Sequence, residues 1–373
     1  MKTLVTIVRI IVGVLFIFSG LVKANDPSGL SYKMQEFFDV WGWSFLNNYS
    51  LAFALLMNTF EIVAGVAVLL GWRMRLFSWL LLILIIFFTF LTGYAVLHPD
   101  KIKSCGCFGD CLPLTPIQSF IKDLVLTALI LLIFIRRKFI RPLFSNTVNV
   151  VLLSLSLLFC IVAQGYVLKY LPVVDCLPYK AGNDIVEKMK LPAGALPDSF
   201  AINFKYRKAG KDVEFDVNHF PEDFNDSTYE FVDRYQKLVR QGTAQAPITD
   251  FNMVSLSGTD TTLAVLSQPN SYVLLFLKDA NTAEKDWDKH AKDVALACQQ
   301  KMIPFYIVTA TIDAAQQQLQ GANNINFLRS DATAIKTAAR VNPTYFIMKR
   351  ATVLAKYAND DYDKAIEKVQ SQK

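Results

Sequence analysis

Six cysteines are the residues of this 373-residue chain best able to do chemistry: Cys105, Cys107, Cys111, Cys160, Cys176 and Cys298. Three fall in one short run, Ser104-Cys105-Gly106-Cys107-Phe108-Gly109-Asp110-Cys111. A disulfide between residues two apart closes a ring of about 11 atoms, and extended backbone would hold the two Cα atoms near the bridging limit of about 7 Å. Gly106 can adopt the backbone turn that draws them together. Such a bridge is strained, hence easily reduced, and suits exchange better than stapling. Cys105 and Cys107 are therefore candidate catalytic thiols, with Cys111 and Cys176 as candidate redox or structural partners. Three readings stay open: exchange by Cys105 and Cys107, a plain clip in which Cys111 pairs with Cys176, and metal binding. The last is weakest, because no His lies in the cluster. Cys160 and Cys298 read as small buried hydrophobes.

The elements that must position this loop are apolar helices. At 53% hydrophobic and 19% charged residues, the chain is too apolar for an ordinary two-domain soluble protein and is neither disordered nor collagen-like. Five stretches, residues 4–24, 51–71, 76–97, 117–135 and 147–171, are each long enough to cross a hydrocarbon core of about 30 Å. The first is too long for a signal peptide and has Lys23 where a cleavage site needs small residues. Residues 1–175 hold 14 Lys and Arg against 8 Asp and Glu, whereas residues 176–373 hold 24 of each, so the net charge of +6 belongs to the apolar half. That distribution argues for loops facing the cytoplasm and against a nucleic-acid face. The cluster Arg136-Arg137-Lys138 with Arg141, and the pair Arg73 and Arg75, mark two such loops. The N-terminus is then cytoplasmic. Loops 25–50 and 98–116, with everything after about residue 172, lie on the outer side, which in a bacterial inner membrane is the oxidising periplasm.

Ionisable residues within the spans carry a functional expectation, since a charge at mid-bilayer costs several kcal/mol unless paired or wet. Those singled out are Arg9, Lys23, Glu61, Lys122 and Asp123. Lys23 and Lys122 lie near helix ends and are expected to snorkel. Glu61, in the middle of its helix, cannot. It is expected to pair with Arg9 or a polar neighbour, or to serve a quinone or proton site.

After Pro172 the composition turns polar. Residues 198–220 read as a strand hairpin turning at Ala209-Gly210-Lys211, and residues 227–241 as a helix, because Tyr229, Phe231, Val232, Tyr235 and Leu238 keep roughly helical spacing. Strands and helices then alternate from Phe251 to Gln370, including strands 251–255, 271–278, 304–309, 326–328, 344–349 and 352–357 and a helix at 283–301, which indicates an α/β sheet covered on both faces.

Two resemblances add to this. Phe18-Ser19-Gly20-Leu21-Val22-Lys23 with Asp26-Pro27, Cys105-Gly106-Cys107-Phe108-Gly109-Asp110, and Leu114-Thr115-Pro116 leading to Ser119-Phe120-Ile121-Lys122-Asp123 resemble the DoxX and MauE group of membrane proteins. The resemblance implies a four-helix membrane bundle over about residues 1–145, linked to thiol redox or disulfide formation in periplasmic partners. Cys111 is an addition to that motif. The second half resembles a thioredoxin-like domain of the peroxiredoxin and TlpA type. Ala246-Pro247-Ile248-Thr249-Asp250-Phe251 matches its entry strand, and Val341-Asn342-Pro343-Thr344 stands where the family has a proline that is often cis. Where the family places Cys-x-x-Cys, this chain has Asp279-Ala280-Asn281-Thr282-Ala283-Glu284, so the domain has no thiolate with which to exchange. Asn342 and Pro343 are instead a candidate peptide-binding site.

The expected architecture is a membrane all-α bundle of five transmembrane helices, the first four DoxX/MauE-like, plus a periplasmic α/β thioredoxin-like domain. The expected divisions are 1–145 for the four-helix domain, 146–175 for the fifth helix, 176–245 for a linker with a hairpin and a helix, and 246–373 for the thioredoxin-like domain. The expected function is a component of periplasmic thiol redox, with the Cys105-Gly106-Cys107 loop as exchange site, a quinone as candidate electron acceptor and a protein partner outside. A non-enzymatic membrane anchor or assembly subunit with structural disulfides is the alternative. No metal, nucleotide or nucleic-acid motif stands out.

Overall fold

A computed structural model of the chain describes residues 2–99, 101–102, 106, 108–196, 199–217, 219–225, 227–240, 242, 246–322 and 324–372. Cys105 and Cys107 lie outside the described residues.

Among the described residues five helices are long and apolar enough to cross a membrane: α1 (Lys2–Ala24), α3 (Ser50–Leu70), α4 (Met74–Leu97), α5 (Pro116–Arg136) and α6 (Asn146–Lys169). The five expected spans are all present. Loop 25–50 also holds a shorter helix, α2 (Pro27–Val40). It starts there because Asp26 caps it, accepting from the Gly29 N–H, and Pro27 occupies the first turn, where its missing N–H costs nothing. Helix α5 starts on a capping box in which Thr115 and Gln118 satisfy each other's backbone N–H.

Helices α1 and α3 approach closely through glycines. A Cβ on Gly65 would meet the Gly13 carbonyl oxygen at 2.9 Å, and one on Gly20 would meet the Asn58 carbonyl oxygen at 3.2 Å. In lipid, where burial of apolar surface drives no association, such small-residue seams let backbones pack. This antiparallel register puts Lys23, one turn beyond Gly20, level with Glu61. It puts Arg9 beside Gly71, at the opposite end of α3.

Beyond the helices, a five-stranded sheet runs in the order β6-β5-β4-β7-β8, from β4 (Ser271–Leu277), β5 (Phe305–Thr309), β6 (Ile325–Arg329), β7 (Thr344–Lys349) and β8 (Thr352–Ala358). Strand β4 is central, parallel to β5 and antiparallel to β7. Every residue of β4 is buried. Its alternate side chains serve two cores: Val273, Leu275 and Leu277 pack with α9 (Trp287–Gln300) and α12 (Tyr362–Gln370), while Tyr272, Leu274 and Phe276 pack with α8 (Thr262–Leu266) and α11 (Ala332–Ala338). The central parallel and antiparallel strands, covered by helices on both faces, with a cis Asn342–Pro343 bond entering β7, make the domain thioredoxin-like. Tyr179 and Ile185, from the stretch read as linker, belong to the second of these cores.

Several local readings need correction. Residues 227–241 are not a helix: β3 (Tyr229–Arg240) is a strand pairing antiparallel with β1 (Ser199–Lys208), which also pairs with β2 (Lys211–Asp216). The β1–β2 hairpin presents Tyr206 and Phe215 on one face, and Tyr229 and Phe231, two apart, complete their aromatic cluster from β3. A third strand thus satisfies both the free edge of β1 and the aromatic face, and outweighs the apparent helical spacing. The stretch 251–255 forms only isolated bridges at Val254. The helix expected from residue 283 begins at Trp287, since residues 279–286 form a loop tied down by Glu284 N–H donating to the Asn342 carbonyl at 2.9 Å.

Candidate functional site

A cavity of about 500 Å³ lies within the bundle, among α1, α2, α3, α4 and α5. Its walls are largely aromatic and aliphatic, with Phe37, Phe53, Phe60, Phe87 and Phe88 among them. At its polar end stand Ser19, Lys23, Lys33, Thr92, Lys122 and Gly106. Gly106 is the residue between the two candidate catalytic cysteines. It takes φ +65°, and a Cβ there would sit 3.1 Å from Lys33 Cγ. The backbone freedom expected of Gly106 is therefore used, and the close approach to α2 reinforces the need for glycine.

Two lysine–carboxylate pairs border this end. The Lys23 ammonium pairs with Glu61, the two side chains being 3% and 1% exposed, and lies 4.9 Å from the centre of the Phe88 ring. Lys23 therefore does not snorkel, and Glu61 does not pair with Arg9. The glycine-set register brings Lys23 to Glu61 and carries Arg9 away. The Lys122 ammonium pairs with the fully buried Asp123 at 2.9 Å, and Thr92 Oγ1 donates to the same carboxylate at 3.1 Å. Lys122 also lies over the Phe108 ring at 4.8 Å, so it too is engaged. A charge buried in this way is tolerated because its partner is present, and removing one partner is costly.

The thioredoxin-like domain seats on the same end. Arg340 Nε donates to Asp26 at 2.7 Å and its Nη2 to Asp110 at 2.6 Å, with its side chain 6% exposed. Lys278 Nζ donates to Tyr32 Oη at 3.0 Å and to the Arg340 carbonyl at 2.7 Å. Lys356 pairs with Asp175 at 2.7 Å. Cys111 and Cys176 are joined in a disulfide, so the structural clip is formed. Asn25 exchanges two hydrogen bonds with the Val174 backbone, at 2.8 and 3.0 Å.

Of the remaining sequence-derived residues, Asn342 spends its amide inside the domain, accepting from Lys278 N–H at 2.8 Å and donating to the Asp279 carbonyl at 2.9 Å, and Pro343 is buried. Cys160 and Cys298 are buried free thiols, and burial pushes the Cys298 thiol up to about 12, which leaves it inert. Among the described residues no group of His, Cys, Asp and Glu could hold a metal. Sequence reasoning missed Asp26, Tyr32, Asp110, Lys278 and Arg340 as a cluster. Asp26-Pro27 carried a helix-start signal, but nothing local in sequence links Asp26 to Arg340.

Comparison with known proteins bears on both halves. Residues 1–136 match the family model described as methylamine utilisation protein MauE, so the chain carries a MauE-type membrane domain. Residues 200–241 match a domain of unknown function, DUF8463. Protein TlpB of Flavobacterium psychrophilum is 26% identical over 129 residues, which is 34% of this chain. The match spans only 35% of TlpB. A solved structure of BsSco, a member of the Sco family of cytochrome c oxidase assembly proteins in which a disulfide switch was identified, is 15% identical over 33% of this chain and 91% of its own, at a TM-score of 0.26. That likeness is too slight to carry an argument.

Proposed function

We propose that this chain, with a MauE-type domain as its first 136 residues, is a membrane component of thiol–disulfide exchange on the outer side of a bacterial inner membrane. Cys105 and Cys107 are the exchanging thiols. The loop disulfide takes two electrons and two protons from a partner dithiol through a mixed disulfide, leaving the partner oxidised and the loop reduced. The loop dithiol then gives two electrons and two protons to a quinone, yielding quinol and restoring the disulfide. The observation that carries this reading is Gly106: the residue between the two thiols lines the polar end of an apolar cavity of about 500 Å³. An apolar chamber with cationic donors at one end suits a lipophilic acceptor whose carbonyl oxygens need hydrogen bonds. Lys23, held by Glu61, and Lys122, held by Asp123, are the donors. The partner is a thiol-bearing protein outside the membrane. Positive loops at Arg73, Arg75 and Arg136 to Arg141 support the orientation.

A second reading, a non-enzymatic anchor or assembly subunit, is favoured by the thiol-free loop 279–284 and by the Cys111–Cys176 bridge, which fastens bundle to outer domain. Trapping separates the two. A Cys107→Ser or Cys105→Ser variant, expressed as the full chain, is expected to accumulate a mixed disulfide with an outer-side protein and to shift that protein towards its reduced form. If neither variant traps a partner and the thiol state outside is unchanged, the exchange reading fails and the anchor reading stands.

A further inference from the structure

We infer that the C-terminal domain acts in cis as a clamp on the bundle, with Arg340 as the positioning residue that holds the turn Gly109–Cys111 and, through it, Gly106 at the cavity. The inference rests on the exchange reading above and adds a role for a domain whose loop 279–284 has no thiols.

A continuous chain of contacts runs from the domain to the cavity. Arg340 grips Asp110 at 2.6 Å and Asp26, the cap of α2, at 2.7 Å. Its Nη1 is fixed by the Lys336 carbonyl at 2.8 Å. Asp110 lies in the short 3₁₀ turn Gly109–Cys111. The first residue of that turn donates its N–H to the Gly106 carbonyl at 3.0 Å, and Gly106 lines the cavity. Its last residue is bonded to Cys176. One guanidinium therefore ties the loop to the α2 cap through two carboxylates, in the planar, forked geometry that Lys cannot reproduce.

The charges complement one another. The domain contributes Arg340, Lys278 and Lys356, and the bundle side offers Asp26, Asp110 and Asp175 with the Tyr32 hydroxyl. Arg340 and Lys278 belong to the segments flanking Pro343 and loop 279–284, the side on which thioredoxin folds carry their thiol chemistry. With Pro343 buried and the Asn342 amide bonded internally, this face has its own membrane bundle as its partner. Loss of thiols from loop 279–284 is then no defect: a clamp needs shape and charge, not a nucleophile.

The test reads the position of the loop without any need for quinone or partner. In the full chain carrying Cys105→Ser, Cys107 is the free thiol of the loop, and its rate of reaction with a soluble maleimide is measured across pH. Cys160 and Cys298 are buried and contribute little. Arg340→Gln is expected to raise the rate about ten-fold, as expected when one partner of a buried charge pair is truncated. Asp110→Asn, at a half-exposed carboxylate and so of little risk to folding, should act in the same direction. The double variant should add little to either, because both break one link. Arg340→Lys, which keeps the charge, should recover part of the protection and part of the wild-type pH profile. Unchanged rates in Arg340→Gln and Asp110→Asn, or effects of the two that simply multiply, would overturn the clamp while leaving the exchange reading untouched. A failed trapping experiment, conversely, would remove the exchange reading without altering these rates.

Discussion

Removing one member of a buried ion pair costs more than removing both, because a lone charge is left where water cannot reach it. Lys23 and Glu61 offer that comparison. Lys23→Met should destabilise the bundle by about 3–5 kcal/mol, whereas Lys23→Met combined with Glu61→Leu should regain most of that loss. If Lys23 also serves the cavity, quinone reduction stays lost in the double variant although stability returns. Thermal unfolding and activity measured side by side separate the two roles, and full activity in the double variant would remove Lys23 from the chemistry. At this scale the sequence was half legible. Glu61 announced its need for a partner by lying far from either helix end. The partner was not readable, because a lysine near a helix end is as compatible with snorkelling as with an ion pair, and only the helix register chooses.

That register is a property of elements, and it rests on glycines. With the Gly65 Cβ position 2.9 Å from the Gly13 carbonyl and 2.8 Å from Ile17 Cγ1, Gly65→Leu must push α1 from α3. Overpacking of this kind costs about 1–3 kcal/mol. Here the separation should also pull Lys23 from Glu61, so the variant should mimic Lys23→Met in activity, and a Gly65→Leu protein with normal activity would show that the seam does not set the site. The spans themselves were plain in the sequence, since some 20 consecutive apolar residues admit few other readings. So was the sheet from Ser271 to Ala358, where strand length and β-branched content agree. Strand β3 was not, because Tyr229, Phe231, Val232, Tyr235 and Leu238 fit a helical stripe as well as a strand, and the choice was made by the distant aromatic face of β1 and β2.

At the scale of the whole molecule, the docked domain makes stability depend on pH through two groups. Burial pushes Lys278 down to about 7, with the Arg340 charge adding to the effect and Asp26 opposing it. Burial pushes Glu284 up to about 7, with Asp360 adding. The contribution of Glu284 is full below its unfolded value of 4.5 and is lost as pH rises to about 7. Lys278 carries the cost of its buried charge below about 7, and that cost is relieved as pH rises towards the unfolded value of 10.5. Carboxylates held down by local hydrogen bonds, such as Asp331, change below this window. Thermal stability of the full chain should therefore pass through a minimum near neutral pH. Glu284→Gln should flatten the acid limb and Lys278→Met the alkaline one, and a profile unaltered by both variants would contradict the assignment. The Cys111–Cys176 bridge works at the same scale. Closing a loop with a sequence separation of 65 restricts the unfolded ensemble of the segment that holds α5 and α6 by about 4 kcal/mol, so Cys111→Ser with Cys176→Ser should lower the unfolding temperature of the bundle. The Cys111–Cys176 clip stood among the sequence readings, but the polar docking contacts were not legible, since Arg340 and Asp26 lie 314 residues apart.

Electron transfer from the thiol loop to a quinone in the apolar cavity can be followed directly. The purified full chain in lipid nanodiscs is reduced at the loop with dithiothreitol, freed of excess reductant, and mixed with a short-chain ubiquinone or menaquinone analogue. One quinol is expected per loop disulfide regained, with formation abolished by Cys105→Ser, by Cys107→Ser and by Leu91→Trp at a residue that lines the cavity beside Phe88, while the Cys111–Cys176 pair alone supports none. No quinol from the reduced wild-type chain with either analogue, or an equal yield from the Cys105→Ser and Cys107→Ser variants, would contradict the exchange reading.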